Sequence, residues 1–149
     1  PSRRQGGGAM KYWDSSALVP LILNEPATLS VERIFRQDPF IVTSWTTSIE
    51  CFSAVMRRKR EGHLTEEGVQ KVRERLNDFS QAMDIVVPSS ELKQVTMRIL
   101  STHPLRAADS IQLASALTWC HNHTRGANFV TLDSRLKEVA LAEGFNVLP

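Results

Sequence analysis

Only 2 cysteines, 7 glycines and 7 prolines occur in the 149 residues, too few for a disulfide-stapled, collagenous or low-complexity chain. Cys51 and Cys120 lie far apart, form no Cys-x-x-Cys pair and have no metal-ligand spacing around them. With no secretion signal either, the expectation is two reduced, buried thiols without catalytic duty in a cytoplasmic protein. Long apolar runs are missing as well. The stretch from Ile111 to Cys120 is broken by Gln112, Ser115 and Thr118, short of the roughly 18 to 20 residues of a membrane span. No Gly-x-x-x-x-Gly-Lys and no Gly-x-Gly-x-x-Gly occurs, which argues against nucleotide hydrolysis and dinucleotide binding.

A net charge of one sign is lacking too, once its origin is traced. The formal charge is +2, but residues 1–9 carry two arginines and no acid. They read as a cloning scar or disordered leader before a natural start at Met10. Without those arginines 16 basic residues face 16 acidic ones, so total charge identifies no partner. What remains is 42% hydrophobic and 23% charged, the composition of one globular domain over residues 10–149. A chain of this size buries roughly 70% of its unfolded surface and needs no staple to hold a core.

Strand and helix signals alternate along that domain. Lys11-Tyr12-Trp13 reads as a strand, and Asp14-Ser15-Ser16 caps a helix through Ala17 to Leu23. A second helix is expected from Pro26 to Arg36, a strand over 39–43, and a long helix from the Ser44 to Thr47 caps to Arg60. Apolar residues at Leu64, Val69, Val72, Leu76, Phe79 and Met83 predict an amphipathic helix, and Ile85-Val86-Val87 a strand. Helices over 89–103 and 105–119, a strand over 128–132, a helix to Ala142 stopped by Gly144, and a strand over 145–147 complete the series. Short apolar strands separated by helices imply parallel pairing with right-handed crossovers. The fold class is therefore α/β, a three-layer sandwich whose short parallel sheet carries helices on both faces. Such sheets bind ligands at the carboxyl ends of their strands.

Acids appear where that rule directs attention. Asp14 follows the first strand and Asp133 the fourth, so both belong to the carboxyl edge, although either alone suits an N-cap. Asp109 stands in the first turn of a helix whose apolar stripe continues through Leu113 and Leu117, and it loses hydration there unless a cation or donor such as Arg106 faces it. Glu50 in Thr47-Ser48-Ile49-Glu50 matches a capping box, yet its helix also starts from the carboxyl edge. Acids sharing one edge suggest a cation site.

The ordered set of Asp14 in Tyr12-Trp13-Asp14-Ser15-Ser16, Glu50 in Thr47-Ser48-Ile49-Glu50, Asp109 in Arg106-Ala107-Ala108-Asp109-Ser110-Ile111-Gln112-Leu113-Ala114, and Asp133 in Thr131-Leu132-Asp133 resembles the PIN-domain ribonucleases. The compact span from Met10 to Pro149 is similar to their VapC-type toxins of toxin–antitoxin pairs. The resemblance implies a Mg²⁺- or Mn²⁺-dependent endoribonuclease that leaves a 5′-phosphate and a 3′-hydroxyl. It also implies a homodimer inhibited by a cognate antitoxin. Asp14 and Asp109 would be principal metal ligands. Asp133 and Glu50 would bind through water, hold a second ion or orient the attacking water. Ser15 and Thr131 match polar positions that accompany the acids, whereas Trp13 is bulkier than the usual aliphatic residue.

For the RNA, Arg57 lies two helical turns beyond Glu50 on nearly the same face and could hold a flanking phosphate, or simply complement the helix dipole. His63, His103, His121 and His123 lack a paired metal spacing and read as surface or helix-end residues. Two other functions compete: a catalytically silent PIN-like scaffold that binds RNA or protein, and a small-molecule phosphatase. Against the phosphatase, Ser16 stands where the second acid of an Asp-x-Asp nucleophile motif would be.

Overall fold

The computed structural model describes residues 11–149; the expected leader over 1–9 and the start at Met10 lie outside the described residues. The chain runs β1 (Lys11–Trp13), α1 (Ser15–Ile22), α2 (Thr28–Gln37), β2 (Val42–Ser44), α3 (Thr47–Arg60), α4 (Glu66–Ala82), β3 (Asp84–Val86), α5 (Ser90–Thr102), α6 (Ala107–Trp119), β4 (Asn128–Val130), α7 (Ser134–Ala142) and β5 (Asn146–Leu148). The strands form one sheet in the order β3-β2-β1-β4-β5, with every pairing parallel. The expected α/β sandwich is what forms.

Alternation along the strands explains the layers. Successive strand residues point to opposite faces, so Tyr12, Val42 and Phe129 share one core with Ile99, Leu113, Leu117 and Leu136. Their neighbours Trp13, Ile41 and Val130 share the other with Leu18, Val31, Val55 and Leu76. Helices α5, α6 and α7 therefore cover one face and α1 to α4 the other. Tyr12 stacks on Phe129 at 5.3 Å between ring centroids, and Trp13 meets Phe35 edge-on at 6.5 Å. The bulky Trp13 is thus accommodated inside the α1 to α4 layer, fully buried.

Strand order reverses at β1, since β2 and β3 extend to one side and β4 and β5 to the other. The crevice this opens lies at the carboxyl ends of β1 and β4. Two strands, β2 and β4, are shorter than their apolar patterns suggest, at three residues each. Thr131 still bonds its N–H to the Leu148 carbonyl at 2.9 Å, but its hydroxyl turns to Asp14, and Leu132 emerges half-exposed. Gly144 ends α7 as expected, at φ +98. A Cβ there would come within 2.5 Å of Thr124 Oγ1, so both conformation and space demand glycine. No described helix is long and apolar enough to cross a membrane.

One ion cluster ties α5 to the end of α7. Glu143 accepts two bonds from Arg98, at 3.0 and 3.2 Å, and one from His103 Nε2 at 2.8 Å. His103, the C-cap of α5, is thus a helix-end residue as expected, half-buried and tied into the structure. Burial alone would raise the Glu143 carboxyl, but the Arg98 and His103 bonds outweigh it and hold the group below its ordinary range. Its contribution is therefore present above the unfolded value of 4.5 and lost as pH falls through the lower folded value. Glu143→Gln should destabilise the chain by about 1–3 kcal/mol at neutral pH. Urea melts of both proteins should converge once pH falls below the folded value; a difference that persists there would remove the ionic explanation.

Candidate active site

β1 stops at Trp13, and the next residue, Asp14, becomes the N-cap of α1. Its N–H bonds the Val130 carbonyl at 3.0 Å, which fixes it against β4, and only 2% of it is exposed. Oδ2 accepts the Ser16 N–H at 3.3 Å, the Ser16 hydroxyl, and the Thr131 hydroxyl at 2.9 Å. A hydroxyl has one proton to give, so Ser16 and Thr131, though 3.1 Å apart, both donate to the carboxylate. As acceptors they take the N–H groups of Leu132 at 2.9 Å and Asp133 at 3.1 Å. One oxygen of Asp14 thereby joins the start of α1 to the loop after β4. Among the described residues its other oxygen meets only the Ser15 hydroxyl, at 3.4 Å. Burial pushes the Asp14 carboxyl up, these bonds oppose the rise, and the charge of Asp109 adds to it.

Asp133 caps α7 as the sequence suggests, with Oδ1 accepting the Leu136 N–H at 2.8 Å. Asp109 occupies the first turn of α6, partly buried. Its carboxyl is raised by burial and by the charge of Asp133, against the pull of Arg106 and Arg135. Arg106 acts at a distance, because among the described residues it forms no ion pair with Asp109.

Glu50 departs from its capping-box alternative. The N-cap of α3 is Thr46, without a side-chain cap bond, and the Thr47 hydroxyl turns inward to Thr43 and Gln112. Relieved of capping, Glu50 accepts a bond from Gln112 Nε2. Burial pushes its carboxyl up to about 7, with Asp14 and Asp109 adding to the rise and the bonds from Gln112 and Ser15 opposing it. Asp14, Glu50, Asp109 and Asp133 are thus electrostatically coupled at the crevice where strand order reverses.

The spacing is looser than a closed metal cage. Among the described residues no three His, Cys, Asp or Glu side chains gather closely enough to hold one ion together. Hydrated Mg²⁺ asks for less, since it keeps several waters and takes one or two carboxylates. Four coupled hard-oxygen groups, with Asp14 Oδ1 turned away from the hydroxyl pair, fit such an ion.

Arg57 is exposed on α3 with no ion pair among the described residues, whereas Arg58 binds Glu25 at 2.7 Å and Lys59 binds Glu66. Cys51 and Cys120 are buried free thiols, and burial pushes Cys51 up to about 12, which keeps it unreactive. His121 and Asn122 close α6 in left-handed backbone, at φ 51 and φ 61. Two grooves of about 410 and 250 Å³ run along α4 and contain none of the four acids. Sequence reasoning missed Gln112, Tyr12, Thr43 and Thr47. The available signal was a glutamine set among the apolar residues of α6.

The PIN domain family matches residues 11–142. Among solved structures, the chain is similar to Mycobacterium tuberculosis VapC20, described as a Sarcin-Ricin loop cleaving toxin, at 16% identity and a TM-score of 0.67, covering 93% of this chain and 99% of that one. FitAcB from Neisseria gonorrhoeae also gives 16% and 0.67, over 94% and 97%. A toxin–antitoxin complex from Klebsiella pneumoniae gives 15% and 0.62, over 93% and 96%. No curated protein matches the chain by sequence.

The coupling has a measurable consequence in metal-free protein. Between the unfolded value of 4.5 and the folded value of about 7, native Glu50 keeps a proton that the unfolded chain has released. Its contribution is full below the lower value and lost as pH rises through the upper one. Thermal melts in chelator should show stability falling across that window. Glu50→Gln should flatten the fall and be the more stable protein near pH 8, by on the order of 1–2 kcal/mol after solvent screening. Identical pH profiles for the two proteins would show that no such repulsion exists.

Proposed function

The chain belongs to the PIN-domain family, and from that premise we propose that it is a divalent-metal-dependent endoribonuclease, the VapC-type toxin of a toxin–antitoxin pair. The observation that carries this reading is the coupling of four carboxylates at the carboxyl edge of the sheet, one of them almost wholly buried. Residues 10–149 act as a single nuclease domain. A cytoplasmic location and a homodimer accompany the reading.

Asp14 and Asp109 would hold Mg²⁺ or Mn²⁺, with Asp133 and Glu50 reaching it through water. The ion supplies positive charge to the phosphoryl oxygens and makes a bound water easier to deprotonate. Ser16 and Thr131 keep Asp14 fixed by occupying its Oδ2, and Ser15 stands between Asp14 and Glu50. Glu50 orients the attacking water. The water oxygen bonds to phosphorus, the bond from phosphorus to the 3′-oxygen breaks, and the products are a 5′-phosphate and a 3′-hydroxyl. Arg57 on α3 holds a phosphate flanking the scissile one, and the exposed Arg106 and Arg135 beside Asp109 draw the polyanion towards the acidic edge. The antitoxin covers this edge and sets a basic side chain against the carboxylates, a partnership supported by the toxin–antitoxin complex among the structures that share the fold.

The purified chain should cut cellular RNA at discrete sites in Mg²⁺ or Mn²⁺, and chelator should stop it. Asp14→Asn and Asp109→Asn should each lose activity by about 100-fold or more while keeping a cooperative melt. Asp109→Asn cutting at a near-normal rate would refute its role, and RNA bound but never cut by wild type would favour a silent scaffold.

A further inference from the structure

Gln112 lies on α6 three residues beyond Asp109, with no exposed surface. An amide buried in an apolar helix must find internal partners for its donors and acceptor. Gln112 finds them on β1 and α3. Its Nε2 donates to the Thr47 hydroxyl at 2.9 Å and to Glu50 Oε2, and its Oε1 accepts from the Tyr12 hydroxyl at 2.7 Å.

The rotation of that amide follows from counting protons. The Thr43 hydroxyl lies 2.6 Å from the Trp13 carbonyl, which can only accept, so Thr43 gives its one proton there. Thr47, 2.7 Å from Thr43, must then donate to Thr43 and has no proton left for Gln112. The group facing Thr47 is therefore the NH₂, whose second proton points to Glu50, and the carbonyl turns to Tyr12. A flipped amide would set its oxygen against the Thr47 hydroxyl and, once Glu50 is ionised, against its carboxylate, with no proton between either pair. The main-chain carbonyl immediately before Asp14 thus dictates, through two threonines, that Glu50 faces a donor.

We infer that Gln112 is a positioning residue, holding Glu50 by Oε2 so that Oε1 is presented to the acidic edge in a fixed orientation. The inference rests on the nuclease reading, which gives Glu50 its part in holding the ion.

Calorimetric titration of Mn²⁺ into metal-free full chain tests it, with wild type, Gln112→Met, Glu50→Gln and the double variant compared. Loss of the hydrogen-bond partner behind a metal-binding group weakens metal affinity about 10- to 100-fold. Gln112→Met should weaken Mn²⁺ binding within that range, and Glu50→Gln should then add little, because two members of one unit do not add. Wild-type affinity in a folded Gln112→Met protein, or full additivity in the double variant, overturns the assignment. Should Gln112→Met not fold, Thr47→Val keeps nearly the same shape and removes the acceptor that fixes the amide. It should weaken Mn²⁺ binding in the same direction, and unchanged affinity overturns the inference equally. Failure of the nuclease reading looks different: wild type itself binds no Mn²⁺, or Asp109→Asn binds it as tightly as wild type, and the inference falls with it.

Discussion

Two aromatic residues side by side, each wholly buried on an opposite face of a three-residue strand, are the constraint on which this molecule depends. Tyr12 and Trp13 cannot both be sheltered unless β1 is covered above and below. That requirement places β1 at the centre of the sheet, between β2 and β4, and calls for a helical layer on each side. The chain must also change direction immediately after Trp13, which is why Asp14 sits at the one point of the carboxyl edge where the sheet divides. Core and site share a cause: the residue that follows the most buried pair has nowhere to go except the crevice.

The same strand also governs the polar interior. The Tyr12 hydroxyl and the Trp13 carbonyl are the two ends of a network that passes through Thr43, Thr47 and Gln112 to Glu50. On the other side of Asp14, Ser16 and Thr131 give their protons to a single carboxylate oxygen and take main-chain N–H groups in return. Both arrangements leave little rotational freedom, because each hydroxyl has one proton and its destination is settled by a neighbour that can only accept. Rigidity at the acids is therefore drawn from hydrogen-bond direction inside the core as much as from packing.

Much of this was legible in the sequence, and the exceptions have physical reasons. Short apolar runs divided by capped helices announce a parallel α/β sheet, and Asp14 and Asp133 announce themselves as strand-end acids by their position alone. Strand ends were misjudged because residues such as Thr131 have β-forming side chains but direct their hydroxyls to the crevice. Glu50 was ambiguous because its local pattern satisfies a capping box that the fold does not build: Thr47 has a better use for its hydroxyl inside the core. Gln112 was passed over as an interruption in an apolar run. Its partner Tyr12 stands 100 positions away, and a bond of that separation leaves no local periodicity to find.

The shortness of the strands has an outcome for how copies of the chain meet one another. Among the described residues the parallel sheet has two edges, β3 and β5, whose backbone groups offer a template to any extended segment nearby. Each edge is only three residues long, so an incoming strand gains too few ladder bonds to stay. Beyond β3, Pro88 supplies no N–H at all. The half-exposed Ile85 and the exposed Val87 on that edge would otherwise make it adhesive. Brevity of the ladder, with the exposed Asp84 at its start, leaves an edge with apolar side chains little means of recruiting another strand.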